Sequence, residues 1–99
     1  MKIKLMPDYE CSPLWWDGEP GRMGDIDPAE IGLDAALKAD LFAWADRFDA
    51  TLNQDYPPDS RFATPEAFAQ FVADGEALAA RVRAALGAGW TVRYVPPLG

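Results

Sequence analysis

Histidine is absent from this chain, cysteine occurs once, and no apolar run reaches eighteen residues in a sequence of 99. Each absence removes a class of chemistry. Without an imidazole, Ser12 and Ser60 have no histidine base for a hydrolytic triad, and Cys11 has no partner of that kind to generate a thiolate. A single cysteine rules out an intrachain disulfide, and a zinc site would have to be assembled from carboxylates, which zinc seldom accepts as a full set. The missing apolar run excludes a membrane-spanning helix, which needs about twenty such residues. The opening stretch MKIKLMPDYE has neither the apolar core nor the small-residue cleavage site of a secretory signal, so a cytoplasmic location is expected.

Bases are also scarce where acids are dense. Residues 8–59 hold thirteen of the sixteen Asp and Glu residues but only Arg22, Lys38 and Arg47 on the basic side, a regional charge of −10. The rest of the chain is net +3, which leaves −7 overall. Such a balance repels nucleic acid and anionic membranes. Its asymmetry suits a basic protein partner drawn in by long-range attraction.

Within the acidic stretch, three carboxylate doublets, Asp8/Glu10, Asp17/Glu19 and Asp25/Asp27, each have one residue between their members, and Glu30 follows. In extended backbone, residues two apart lie on one side at about 6.6 Å, close to the interval of successive phosphates on a nucleic-acid strand. Tyr9, Trp15 and Trp16 stand among these acids. Large rings inside a charged rim are the usual composition of a tight protein-binding surface. The candidate partner-binding set is therefore Asp8, Tyr9, Glu10, Trp15, Trp16, Asp17, Glu19, Asp25, Asp27 and Glu30. Because Trp15 and Trp16 are adjacent, an extended segment would send them to opposite sides, with only one in the core.

The elements are readable from local pattern. Met1, Ile3 and Leu5 alternate with Lys2 and Lys4, the period of a half-buried strand that Pro7 ends. Four prolines and four glycines across residues 7–32 permit turns and short extended pieces but no long helix, and a piece around Ser12 to Trp16 could add an edge strand. Leu37, Leu41, Trp44, Ala45, Phe48 and Leu52 form a helical stripe from about residue 35 to 53, with Asp34 as cap and as ion-pair partner for Lys38. Phe42 lies off that stripe and is expected to be buried by a second cover. Residues 54–63 read as a loop.

A second helix opens at the Thr64-Pro65-Glu66 start and closes at Gly87. Gly75 in its interior marks a close crossing, for which Trp44 is the natural neighbour. Trp90, Val92 and Tyr94 then alternate as a closing strand, followed by a frayed tail over residues 96–99. The whole predicts one α+β domain: a helical hairpin on a small two- or three-stranded antiparallel sheet, with a long Pro/Gly-rich loop after the first strand.

Other chemical templates fail on context. Gly18-x-x-Gly21-x-x-Gly24 follows no strand and opens no helix, so it is not a dinucleotide fingerprint. Asp25-x-Asp27-x-x-Glu30 lacks the twelve-residue pattern of a calcium loop. Neither a metal nor a cofactor is expected. A pair of acids acting on a sugar would need a cleft and one raised pKa, which makes a carboxylate-based hydrolase a distant third alternative.

Such a chain is expected to be non-enzymatic and to bind a basic nucleic-acid-binding protein whose groove it fills in place of the phosphate backbone. The segment Met6-Pro7-Asp8-Tyr9-Glu10-Cys11-Ser12-Pro13-Leu14-Trp15-Trp16, followed by Gly24-Asp25-Ile26-Asp27, resembles the opening of a family of small, mostly uncharacterised bacterial acidic proteins. In size and acidity the chain is also similar to anti-CRISPR inhibitors of type I-C surveillance complexes. That resemblance implies DNA mimicry against the complex subunit that reads target DNA. The alternative use of the same acidic face is an immunity protein that neutralises a toxin nuclease.

Overall fold

A computed structural model describes residues 1–52, 55 and 61–97. Strand β1 (Lys2–Leu5) is followed by β2 (Leu14–Trp16) and a two-residue β3 (Asp25–Ile26), then a 3-10 turn (Pro28–Ile31), helix α1 (Ala35–Asp49), helix α2 (Pro65–Leu86) and strand β4 (Thr91–Tyr94). The sheet order is β3-β2-β1-β4. β2 pairs antiparallel with both β1 and β3, while β1 and β4 run parallel with Ile3 opposite Val92. The expected α+β class holds, but the sheet has four strands, not two or three, and it is mixed instead of antiparallel.

The direction of β4 explains that difference. Arg47 of α1 reaches Asp74 of α2 and Asp40 reaches Arg81, so the helices run antiparallel. The tight Gly87 to Trp90 turn then reverses the chain from α2 into β4. β4 can lie parallel to β1 only because residues 27–34 carry the chain back, so that α1 starts in the direction of β1. Nothing in the composition of those eight residues announces that return.

Local chemistry forms the helices. Asp34 accepts the Leu37 N–H at 2.8 Å and Thr64 Oγ1 accepts the Ala67 N–H at 3.0 Å, each satisfying a donor that the first helical turn leaves open. Gly87 ends α2 at φ 81°, a value that favours glycine. Lys38 departs from expectation: its ammonium pairs with Asp27 at 2.9 Å, because Asp34 is engaged as the cap. Asn53, most of the expected loop at 54–63 and the end of the expected tail at 96–99 lie outside the described residues.

The core lies between the helices and one face of the sheet. Ile3, Leu5, Leu14, Ile26 and Val92 point inward from the strands against Leu37, Leu41, Trp44, Phe71 and Val82. Burying each such side chain contributes about 1.5–3 kcal/mol. Trp44 stacks on Phe71 with ring centroids 4.4 Å apart and donates its indole N–H to the Phe71 carbonyl at 2.9 Å. The crossing at Gly75 is as close as expected, since a Cβ there would come within 2.6 Å of the Trp44 ring and would also strike Tyr94. Phe42 is half-buried with the Lys38 ammonium 6.0 Å from its ring centre, so it is neither core nor free.

Candidate protein-binding surface

The acidic doublets do not form one extended array. Glu10 sits in the left-handed region at φ 60° and Gly18 at φ 73°, so the chain turns within the first two doublets. In the second, the Arg93 guanidinium grips Asp17 with two hydrogen bonds of 3.0 Å, and this holds the Asp17 carboxyl below its usual pKa. In the third, Asp25 accepts the Ser12 N–H at 2.9 Å, whereas Asp27 accepts from Ala29 N–H and from Lys38. The Lys38 hydrogen bond is the main reason that the Asp27 pKa also falls. Half the negative charge in each of these two doublets is thus answered from within the molecule.

The tryptophans do point to opposite sides of β2. Trp16 packs against the core, 6.3 Å from Trp90, and the Arg22 guanidinium lies 4.8 Å over its ring. Trp15 lies on the sheet face away from the helices, between Lys4 and Asp25 in register, and donates its N–H to the Met6 carbonyl at 3.0 Å. Both rings are half-buried. The two largest exposed apolar side chains among the described residues are Met23, 90% exposed between β2 and β3, and Met1. Glu19 lies in that same connection and Glu30 in the 3-10 turn.

A different grouping emerges at the end of the fold where β1, β4 and α1 finish and α2 begins. Asp8, Glu10, Asp25 and Asp49 all surround Cys11. Burial, and then the negative charge of these four, pushes its thiol pKa up. Among the described residues none of the four makes an ion pair; Asp49 instead accepts the Glu10 N–H at 3.0 Å and so fixes the turn that carries Tyr9. A thiol in that field resists ionisation, the opposite of the activation a nucleophilic cysteine needs.

Beside these acids lies an apolar hollow of about 880 Å³. Tyr9, Phe48, Phe62, Phe68, Val95 and Pro96 supply much of its described wall. Tyr9 stacks on Phe48 at 4.5 Å, with its hydroxyl 3.3 Å from Thr51 Oγ1, and Phe62 meets Phe68 edge-on at 5.7 Å. Phe48 near the end of α1 and Phe68 near the start of α2 both line the hollow. Of the residues gathered at this end, Asp8, Tyr9, Glu10 and Asp25 belong to the candidate set read from the sequence, whereas Asp49, Phe48, Phe62 and Phe68 do not. A signal for them was present in the rings flanking the proline-rich segment between the helices.

This geometry suits protein binding: a recess for an apolar side chain with uncompensated carboxylates at its margin. The hydrolase alternative requires a raised carboxyl pKa; among the described residues the displaced carboxylates, Asp17, Asp27 and Asp74, all move downward. No curated protein matches the chain. The similarity to anti-CRISPR inhibitors finds no support, and the family match favours the immunity alternative instead. The model of a family described as Serratia CdiI immunity protein-like matches residues 1–97, and the chain belongs to that family.

Proposed function

We propose that this protein is a non-enzymatic immunity protein that binds a basic toxin in the cytoplasm and neutralises it by occupancy. CdiI-like immunity proteins bind a toxin partner. The observation that carries the extension to a basic toxin is the set of carboxylates Asp8, Glu10, Asp25 and Asp49, which pair with no base among the described residues. A toxin that acts on nucleic acid has a groove rich in Lys and Arg, and an acidic surface attracts it at long range. A nuclease is therefore the toxin class that complements this face best. DNA mimicry by a continuous array is not required, because four clustered charges beside an apolar recess supply both steering and a contact.

The test is co-production with the toxin domain encoded beside its gene. Cells making both chains should grow, cells making the toxin alone should not, and the purified pair should bind in a one-to-one ratio by calorimetry. Association should slow as salt rises from 50 to 500 mM, since attraction between exposed charges is screened over a Debye length of about 10 Å at 0.1 M. Growth arrest despite abundant folded protein would refute the proposal.

A further inference from the structure

We infer that the apolar hollow at the α1–α2 open end receives a single large apolar side chain of the toxin, flanked on the toxin by Lys or Arg. This rests on the immunity assignment above and adds the chemistry of the contact. Two observations carry it. The hollow is large enough, at about 880 Å³, for an aromatic or branched side chain with its neighbouring backbone, and its described wall is mainly ring and aliphatic carbon. Acids adjoin two of its lining residues in the chain: Asp8 and Glu10 flank Tyr9, and Asp49, whose carboxylate accepts the Glu10 N–H at 3.0 Å, follows Phe48, while the one charged residue of the lining itself is Arg61.

An anchor without adjacent positive charge would leave those carboxylates to lose water with nothing in return, which disfavours it. A basic segment without an apolar side chain would leave the ring-lined recess filled with water. Only the combination satisfies both parts of the surface. The remaining features of the molecule offer less. The shallow seam between α1 and α2 is bridged by Arg47–Asp74 and Arg81–Asp40, so its charges already answer one another. The helix-free sheet face mixes Lys2, Lys4 and Arg93 with Asp17 and Asp25, and Arg93 is paired with Asp17.

Ala63 permits a test that obstructs the hollow without disturbing the core, because it lines the hollow yet is itself exposed. The full chain carrying Ala63→Trp is compared with wild type and with Ala84→Trp, an exposed position near the opposite end of α2. Each is titrated against the purified toxin domain, with circular dichroism and thermal melting confirming the fold. The expected result is at least a hundredfold weaker binding for Ala63→Trp, driven by faster dissociation, and less than a threefold change for Ala84→Trp.

A second arm uses the tripeptide amide Lys-Trp-Lys as a free anchor on the isolated protein. Its amide shift perturbations should cluster at Tyr9, Phe62 and Phe68, and they should vanish in Ala63→Trp. Wild-type binding with an unaffected Ala63→Trp variant would overturn the hollow as anchor site while leaving the immunity assignment intact. Equal loss in both tryptophan variants would overturn it too. If wild type failed to bind the toxin, the immunity assignment would fall and this inference with it.

Discussion

Two acidic regions of this molecule differ in what surrounds them. Along the helices and the hairpin, Asp17, Asp27, Asp40 and Asp74 each meet a base, at 2.7 to 3.0 Å. At the open end, Asp8, Glu10, Asp25 and Asp49 meet backbone N–H groups or solvent and, among the described residues, no base. The two sets are indistinguishable by composition. What separates them is the field left over for a partner: a paired carboxylate is largely cancelled within a few ångströms, whereas four unpaired ones add. The count of −10 over residues 8–59 therefore includes charge that is already answered within the molecule, and the open end is one place where charge is left over.

The most severe test of this contrast is charge removal at the open end. Replacing Asp8, Glu10 and Asp49 by Asn, Gln and Asn should weaken toxin binding about tenfold to a hundredfold at low salt, mainly through slower association, and should flatten the salt dependence. Asn at position 49 keeps the oxygen that accepts the Glu10 N–H, so stability should not fall. Neutralising Asp17, Asp40 and Asp74 instead should leave affinity within about threefold if the contrast is right. Surface plasmon resonance on both sets decides it.

Stability should depend on the core and little on either set of acids. Gly75→Ala places a methyl against Trp44 and Tyr94 and should destabilise by about 1–3 kcal/mol in urea unfolding. Tyr94→Phe removes the hydroxyl that donates to the Val72 carbonyl at 2.9 Å and should cost about 1 kcal/mol. Breaking the exposed Arg47–Asp74 pair with Asp74→Asn should cost no more than about 1 kcal/mol. A larger loss at Asp74 than at Gly75 would mean that ion pairs, not packing, hold the helices together.

The smallest effects should appear with pH. Asp17, Asp27 and Asp74 have folded pKa values below their unfolded ones, each chiefly because of a hydrogen bond from a basic side chain. Their contribution is therefore complete above the unfolded value of about 4 and is lost as pH falls through the folded values beneath it. The urea midpoint should be nearly flat from about pH 5 to 7 and decline below about pH 4. At the alkaline limit, burial, with Glu76 and Asp74 adding negative charge, pushes Tyr94 up to about 12. Its raised value means that the stability it contributes is present below the unfolded pKa of about 10 and disappears as pH climbs through about 12. Ultraviolet titration of the phenolate should follow the same course.

Much of the architecture was legible because its causes are local. Alternation in Met1 to Leu5 and Trp90 to Tyr94, the caps Asp34 and Thr64, the Gly87 stop and the Gly75 crossing each depend on residues within a turn or on a side chain too large to go elsewhere. The extended piece around Ser12 to Trp16 was visible, and β2 occupies Leu14–Trp16. The third strand was not visible, because Asp25–Ile26 is too short to show a period. The candidate site was legible only in part. Asp8, Tyr9, Glu10 and Asp25 belong to the open end, whereas Asp17 and Asp27 are paired by bases 76 and 11 residues away in sequence.

Residue order by itself determined the net charge, the absence of an imidazole, the two helices with their N-caps and the outer strands, because each follows from composition or from interactions between near neighbours; the first helix, expected to reach about residue 53, stops at Asp49. Tertiary structure alone decided that β4 runs parallel to β1, that four carboxylates gather around Cys11 with no base among the described residues paired to them, and that rings from both helices line a hollow. Those outcomes depend on which distant segments meet. A pairing distance of 2.7 or 3.0 Å arises only after the core has placed the two side chains together.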